Sequence, residues 1–182
     1  RHTRYIGDWS SDVCSSDLII NFAVKKIRNE SICKNLQNIA GGESAGIPFA
    51  SFISQKMNLP LSYIRKEKKK FGKNSQIEGI IKPFENVLLV EDLMTDGGSK
   101  IKFIESILDV KANIKAIFVV FNYGINIDYI EVKKKKIKLI HLATWQDVLQ
   151  EYSYLKKLSK KDKINIEEFL KSIGVRNLKS GI

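Results

Sequence analysis

The sequence predicts an α/β domain with a mostly parallel central sheet flanked by helices and ligand loops at the strands' carboxyl ends. Three observations predict it. Val87 to Val90 is apolar without alternation, and Ile114 to Phe121 reads as a further buried strand, as in a sheet covered on both faces. Segments with apolar residues at helical spacing lie between the strand-like runs. Glycine pairs, Gly41-Gly42 and Gly97-Gly98, stand where a strand gives way to a helix.

At 182 residues the chain is long enough to bury about 70% of its unfolded surface in one core. No run of about 18 uninterrupted apolar residues exists, so no membrane partner is expected. The first residues lack the apolar core of a signal peptide. Cys14 and Cys33 give neither metal spacing nor a disulfide framework, which fits a reducing, cytoplasmic setting. The net charge of +11 invites a nucleic-acid reading, because Lys-rich faces hold polyanions through counterion release. The excess is nearly all Lys beside abundant Ile and Asn, a compositional bias, and no nucleic-acid partner is expected.

Arg1 to Leu18 stands apart from the rest of the chain. It repeats Ser-Ser-Asp, has no amphipathic period, and lacks the Lys and Ile richness that begins at Ile19; it resembles translated adapter sequence and is read as a non-native stretch in place of the native N-terminus. Ile19 to Asn29 carries the helical stripe Ile20, Ala23, Val24 and Ile27. Leu36 to Ala40 reads as a strand ending in Gly41-Gly42-Glu43-Ser44-Ala45-Gly46. A helix from Ile47 to Asn58 comes next, with the stripe Phe49, Phe52, Ile53 and Met57, and with Pro48 in its first turn. By residues alone, that glycine-rich loop is either a plain turn or a cradle for an anion. Leu61 to Ile64, a strand, runs into Arg65 to Asn74, where six cations and one acid make either a solvated loop or an arm that closes over a polyanion. Ile77 to Ile81 reads as a short strand, broken off by Pro83.

Val87 to Val90 then leads into Glu91-Asp92, and Gly97-Gly98 opens a helix, Ser99 to Val110, striped by Ile101, Ile104, Ile107 and Leu108. Amides at that helix start suit a phosphate. Glu91 and Asp92 suit hydroxyls and a hard cation, so a ligand touching both would be a phosphorylated sugar. Asp96 would repel the phosphate unless turned away, and counts only as a loop member. Ile114 to Phe121 ends at Asn122-Tyr123. Lys133 to Lys136 reads as a solvated approach to an edge strand, Ile137 to His141, where His141 takes a structural role. Thr144 caps a helix from Trp145 onward, Lys156 to Lys163 is a polar linker, and Asn165 with Glu168 opens a last helix that stops at Gly174.

Val87 to Ser99 resembles the phosphoribosyl pyrophosphate (PRPP) motif of type I phosphoribosyltransferases, matching at Glu91, Asp92, Thr95, Gly97, Gly98 and Ser99. Receiver domains share Val-Leu-Leu-Val-Glu-Asp but place it after their first strand, with no glycine pair behind it. Gly46-Ile47-Pro48 resembles the end of the pyrophosphate loop of orotate phosphoribosyltransferases. Arg65 to Gly72 resembles their flexible catalytic loop.

The resemblance covers about Ile19 to Val148 and implies a type I phosphoribosyltransferase (Rossmann-like) fold over residues 19–150, with a C-terminal helical extension over 151–182. It implies an enzyme of pyrimidine biosynthesis, a glycosyltransferase that moves ribose 5-phosphate from PRPP to orotate and releases pyrophosphate. By it, Glu43, Ser44, Ala45 and Gly46 form the pyrophosphate loop. The PRPP ligands are Arg65, Lys66, Lys69, Glu91, Asp92, Leu93, Met94, Thr95, Asp96, Gly97, Gly98 and Ser99, with Lys69 and Asp92 catalytic. Thr95 and Tyr123 reach orotate, Mg²⁺ is held through PRPP and not by protein alone, and the enzyme is a homodimer whose catalytic loop acts in trans. The chain departs from the pattern at Ala45, where some members have Lys, at Phe71, where many have His, and at Tyr123, where Arg often reaches orotate. The alternatives are another PRPP-dependent base phosphoribosyltransferase or a non-catalytic PRPP-binding regulator.

Overall fold

The computed structural model describes residues 9–67, 76–95, 97–125, 128–155 and 159–175. In chain order the strands are β1 (Asn38–Gly42), β2 (Leu61–Ile64), β3 (Ile77–Glu78), β4 (Asn86–Met94), β5 (Asn113–Asn122), β6 (Tyr129–Val132) and β7 (Lys135–Thr144). The helices are α1 (Trp9–Asn29), α2 (Gly46–Met57), α3 (Gly98–Asp109), α4 (Trp145–Tyr154) and α5 (Lys160–Ser172). One sheet holds all seven strands in the order β3-β2-β1-β4-β5-β7-β6. β2, β1, β4, β5 and β7 run parallel, while the edges β3 and β6 are antiparallel to their neighbours.

Alternation along β4 sorts the core into two layers. Leu88 and Val90 face α1 and α2, packing with Ile20, Ile27, Ile39, Ile53 and Phe118. Val87 and Leu89 face α3, packing with Ile104, Ile107, Ile117 and Leu139. Each such Ile or Leu, fully withdrawn from water, contributes about 1.5 to 3 kcal/mol. The stripe read for α1, Ile20, Ala23, Val24 and Ile27, is buried throughout.

Several elements differ from the sequence reading. α1 begins at Trp9, not Ile19. Phe52 is half exposed, and the buried face of α2 is instead Gly46, Ala50, Ile53 and Ser54. The cause is close approach: a methyl group on Gly41 would lie 2.9 Å from Ala50 Cβ, so the helix lays its smallest residues on β1 and turns the Phe outward. On α3, Phe103 is buried in place of Ile101, which is 38% exposed. β4 continues through Glu91 and Asp92 to Met94.

The region Lys133 to Lys136 is not an approach to an edge strand. Lys133 and Lys134, both at positive φ (48° and 63°), form the two-residue turn of a hairpin, and the strand missed in the sequence, β6, is the true edge. α5 starts at Lys160, inside the predicted linker, because its N-cap Ser159 and Asp162 form a reciprocal capping box that satisfies first-turn amides. α4 has the expected Thr144 cap, with Asp147 as its reciprocal partner. Gly174, at φ 96°, follows the last helix as read.

Candidate active site

The parallel strands β1, β4, β5 and β7 bring their carboxyl ends to one edge of the sheet, where the sequence reading placed the ligand loops. Adjacent strands β1 and β4 each lead into a helix there. α2 is capped by Ala45 and α3 by Gly97 at φ 89°, and neither cap supplies a side-chain hydrogen bond. α4, which starts at the end of β7, and α5 instead each carry a full capping box. Two neighbouring helix starts whose cap residues, Ala45 and Gly97, carry no side-chain oxygen suit two anionic groups on one ligand.

The glycines of the first loop are required by what lies beneath them. A Cβ on Gly42 would fall within Glu91 Oε1, and one on Gly46 would lie 2.9 Å from that same oxygen. Glu91 is 3% exposed and sits under the loop. Its Oε2 pairs with Lys100 Nζ at 2.6 Å, and its Oε1 has no hydrogen-bond partner. Burial pushes the Glu91 carboxyl above its ordinary pKa, against the pull of the Lys100 hydrogen bond and charge. Lys100 was missed in the sequence. Its signal was a lone cation in the first turn of a helix, where the macrodipole disfavours one. Asp92, the next residue along β4, is partly exposed.

Where the basic run leaves the sheet, its described residues are held by backbone. Lys66 N donates to Glu43 Oε2 at 2.7 Å, tying the run to the glycine loop. Arg65 N donates to Gln76 O at 2.8 Å, and the Arg65 guanidinium lies 3.6 Å from Glu78. Lys69, with Phe71, and Asp96 lie outside the described residues. Ser44, Ala45, Lys66, Thr95 and Gly98 are exposed, Leu93 is partly so, and Ser99 is in the first turn of α3. Met94 is fully buried, so its side chain belongs to the core, and its carbonyl accepts from Tyr123 N at 2.8 Å. The Glu43–Ser44 peptide bond is cis.

At the end of β5 the Tyr123 ring stands edge-on to Phe121 and Trp145, with centroids 5.9 and 6.0 Å apart, and these two rings also meet edge-on at 5.6 Å. Sequence reasoning singled out Tyr123 and not its two supports, because the contact joins residues from two strand ends. His141 lies within β7, half-buried. Burial first, then the Lys26 charge, hold its imidazole below its usual pKa, so it is neutral at physiological pH. A separate cavity of about 610 Å³ lies between α1 and the ends of β5 and β7, lined by Ile19, Phe22, Lys26 and Leu142 among others. Among the described residues no cluster of three or more His, Cys, Asp or Glu could hold a metal, and no helix is long and apolar enough to cross a membrane.

Residues 15–157 match the family model for the phosphoribosyl transferase domain. The chain is 43% identical over 134 residues to orotate phosphoribosyltransferase of Dinoroseobacter shibae, an alignment covering 73% of this chain and 59% of that one. It is 41% identical over 157 residues to that of a Jannaschia species, covering 85% and 68%. Orotate phosphoribosyltransferase from Aeropyrum pernix superposes with a TM-score of 0.64 at 22% identity, over 79% of each chain, a likeness of fold. The chain spans about three fifths of the length of the first relatives it matches, 59% and 58%. With the domain model covering most of the chain and identities above 40%, the chain belongs to the orotate phosphoribosyltransferase family, on the type I phosphoribosyltransferase fold.

Proposed function

We propose that the chain transfers ribose 5-phosphate from PRPP to orotate, giving orotidine 5'-monophosphate and pyrophosphate, as the relatives' name implies. The observation that carries this reading is the pair of helix starts without side-chain caps on neighbouring strands, with Asp92 beside them and the basic run fastened to one loop. Residues 43–46 take the pyrophosphate group and residues 95–99 the 5'-phosphate. Lys66, Arg65 and Lys69 supply cations to the pyrophosphate, and Asp92 accepts from the ribose hydroxyls. Glu91, engaged by Lys100, acts from beneath the loop.

Breaking the bond from C1 to pyrophosphate leaves positive charge on the ribose and negative charge on the leaving group. Asp92 favours the first and the loop cations the second. The new C1–N1 bond forms as orotate N1 gives up its proton, which the departing pyrophosphate can take up, so the step balances without a protein base. Asp92 is a hard-oxygen donor, partly exposed beside both loops, and it fits a Mg²⁺ ion carried in with PRPP. That ion would neutralise the departing pyrophosphate. Tyr123, fixed by Phe121 and Trp145, faces the base together with Thr95.

The protein works in the cytoplasm as a homodimer with Lys69 acting across the interface. Orotidine 5'-monophosphate formation from PRPP and orotate, followed chromatographically, tests the reaction. Conversion of uracil or a purine in preference to orotate would refute the base assignment. Activity regained on mixing Lys69→Ala with Asp92→Asn subunits is expected from the trans arrangement, and no regained activity would refute it.

A further inference from the structure

We propose that Gln76 is a positioning residue that joins the pyrophosphate end of the site to the 5'-phosphate end. The inference rests on the PRPP reading above. Gln76 immediately precedes β3, and its side-chain amide is engaged on both sides. Nε2 donates to Arg65 O at 3.1 Å and to Lys66 O at 3.3 Å, while Oε1 accepts from Ser106 Oγ at 3.1 Å. The Gln76 carbonyl accepts from Arg65 N at 2.8 Å, so both ends of the link between β2 and β3 are pinned together.

Ser106 belongs to α3, the helix whose start takes the 5'-phosphate, and it is 7% exposed. Lys66 is bonded in turn to Glu43 of the pyrophosphate loop at 2.7 Å. The hydrogen bonds therefore run unbroken from Glu43 through Lys66 and Gln76 to Ser106. The route joins the loop before α2 to α3, and those two helices pack on opposite faces of the sheet.

The chemistry admits few substitutes. Turning the amide over would set Oε1 against two carbonyl oxygens, so its orientation is fixed by its neighbours. A carboxylate at this position would meet the same two carbonyls with no donor. Ser106 has one hydroxyl hydrogen, shared between Gln76 Oε1 and Lys102 O at 2.9 Å. PRPP presents an anionic group at each end, and its affinity depends on the spacing between the two cradles. A ligand that fills only one cradle does not sense that spacing.

Calorimetric titration of the full chain with Mg²⁺-PRPP and with ribose 5-phosphate separates the two roles. The Gln76→Leu variant is expected to lose PRPP affinity by about tenfold or more while holding ribose 5-phosphate within about twofold of wild type. Ser106→Ala should fall in the same direction by less, and Ser106→Thr, which keeps the hydroxyl, should recover. If Gln76→Leu does not fold, the Ser106 pair decides. Equal PRPP binding by wild type and folded Gln76→Leu, or equal weakening toward both ligands, overturns the proposal, as does a Ser106→Thr chain no better than Ser106→Ala. Wild-type chain that binds neither ligand refutes the reading of the site itself, a distinct result.

Discussion

Replacing Lys100 by Met keeps an unbranched side chain in the first turn of α3 and removes the ammonium that lies 2.6 Å from Glu91 Oε2. Glu91 Oε1 already lacks a partner, so the variant leaves a carboxylate under the glycine loop with neither oxygen held. Breaking one side of a buried ion pair costs about 3 to 5 kcal/mol. The Lys100 side chain is 13% exposed and water reaches it in part, which favours the low end, about 3 kcal/mol. A domain of this size would lose roughly 6 to 12 °C in Tm.

The loss depends on pH. Burial raises the Glu91 pKa and Lys100 lowers it, so removing Lys100 raises it further. A group whose folded pKa is raised contributes its full stability below the unfolded value and loses it as pH climbs through the folded value. The deficit of Lys100→Met is therefore largest near neutral pH and shrinks as pH falls toward the carboxylate's ordinary range. Adding Glu91→Gln, which removes the buried charge, should restore most of it at neutral pH. Urea unfolding at about pH 7.5 and about pH 5 measures both effects. A deficit under about 1 kcal/mol at the higher pH, or one unchanged between the two, would refute the reasoning.

Gly42→Ala forces a methyl group into Glu91 Oε1 and to 2.8 Å from Phe103, and should destabilise by at least about 1 to 3 kcal/mol while weakening PRPP binding; unchanged melting and binding would contradict the packing account. Thr144→Ala removes the cap of α4 and should cost about 1 kcal/mol in chemical unfolding, with PRPP affinity unmoved. Burial pushes the Cys33 thiol up to about 11, chiefly by desolvation. In a Cys14→Ser background, alkylation near pH 8 should be slower by roughly 100-fold in the native chain than in urea, and equal rates would place Cys33 at the surface.

The features legible in the sequence are those set by local period and spacing. The α1 stripe from Ile20 to Ile27 follows the helical repeat, and all of it is buried. The strand-acids-glycines order of Val87 to Gly98 reads as a strand passing through two acids to a helix opened by glycine, the order that β4 and α3 have. What escaped depends on elements meeting across the sheet. Phe52 reads as core until Gly41 and Ala50 bring α2 close to β1, which leaves Gly46, Ala50, Ile53 and Ser54 as the buried face and turns Phe52 outward. The β6 hairpin hid because Lys133-Lys134 occupies a turn that usually holds Asn-Gly. Glu91 and Asp92 read as equivalent acids, yet alternation along β4 sends Glu91 beneath the loop to Lys100 and leaves Asp92 partly exposed. Gln76 carries no local signal, since its role arises from Arg65, Lys66 and Ser106 together.

Titration of PRPP into the purified chain, with and without Mg²⁺ and with Asp92→Asn in parallel, tests the central claim most directly. The account predicts saturable binding that requires Mg²⁺ and weakens by about tenfold or more in the folded variant, the loss of one charge-assisted hydrogen bond. A folded wild-type chain that does not bind PRPP, or an Asp92→Asn chain that binds it equally well, would contradict the account.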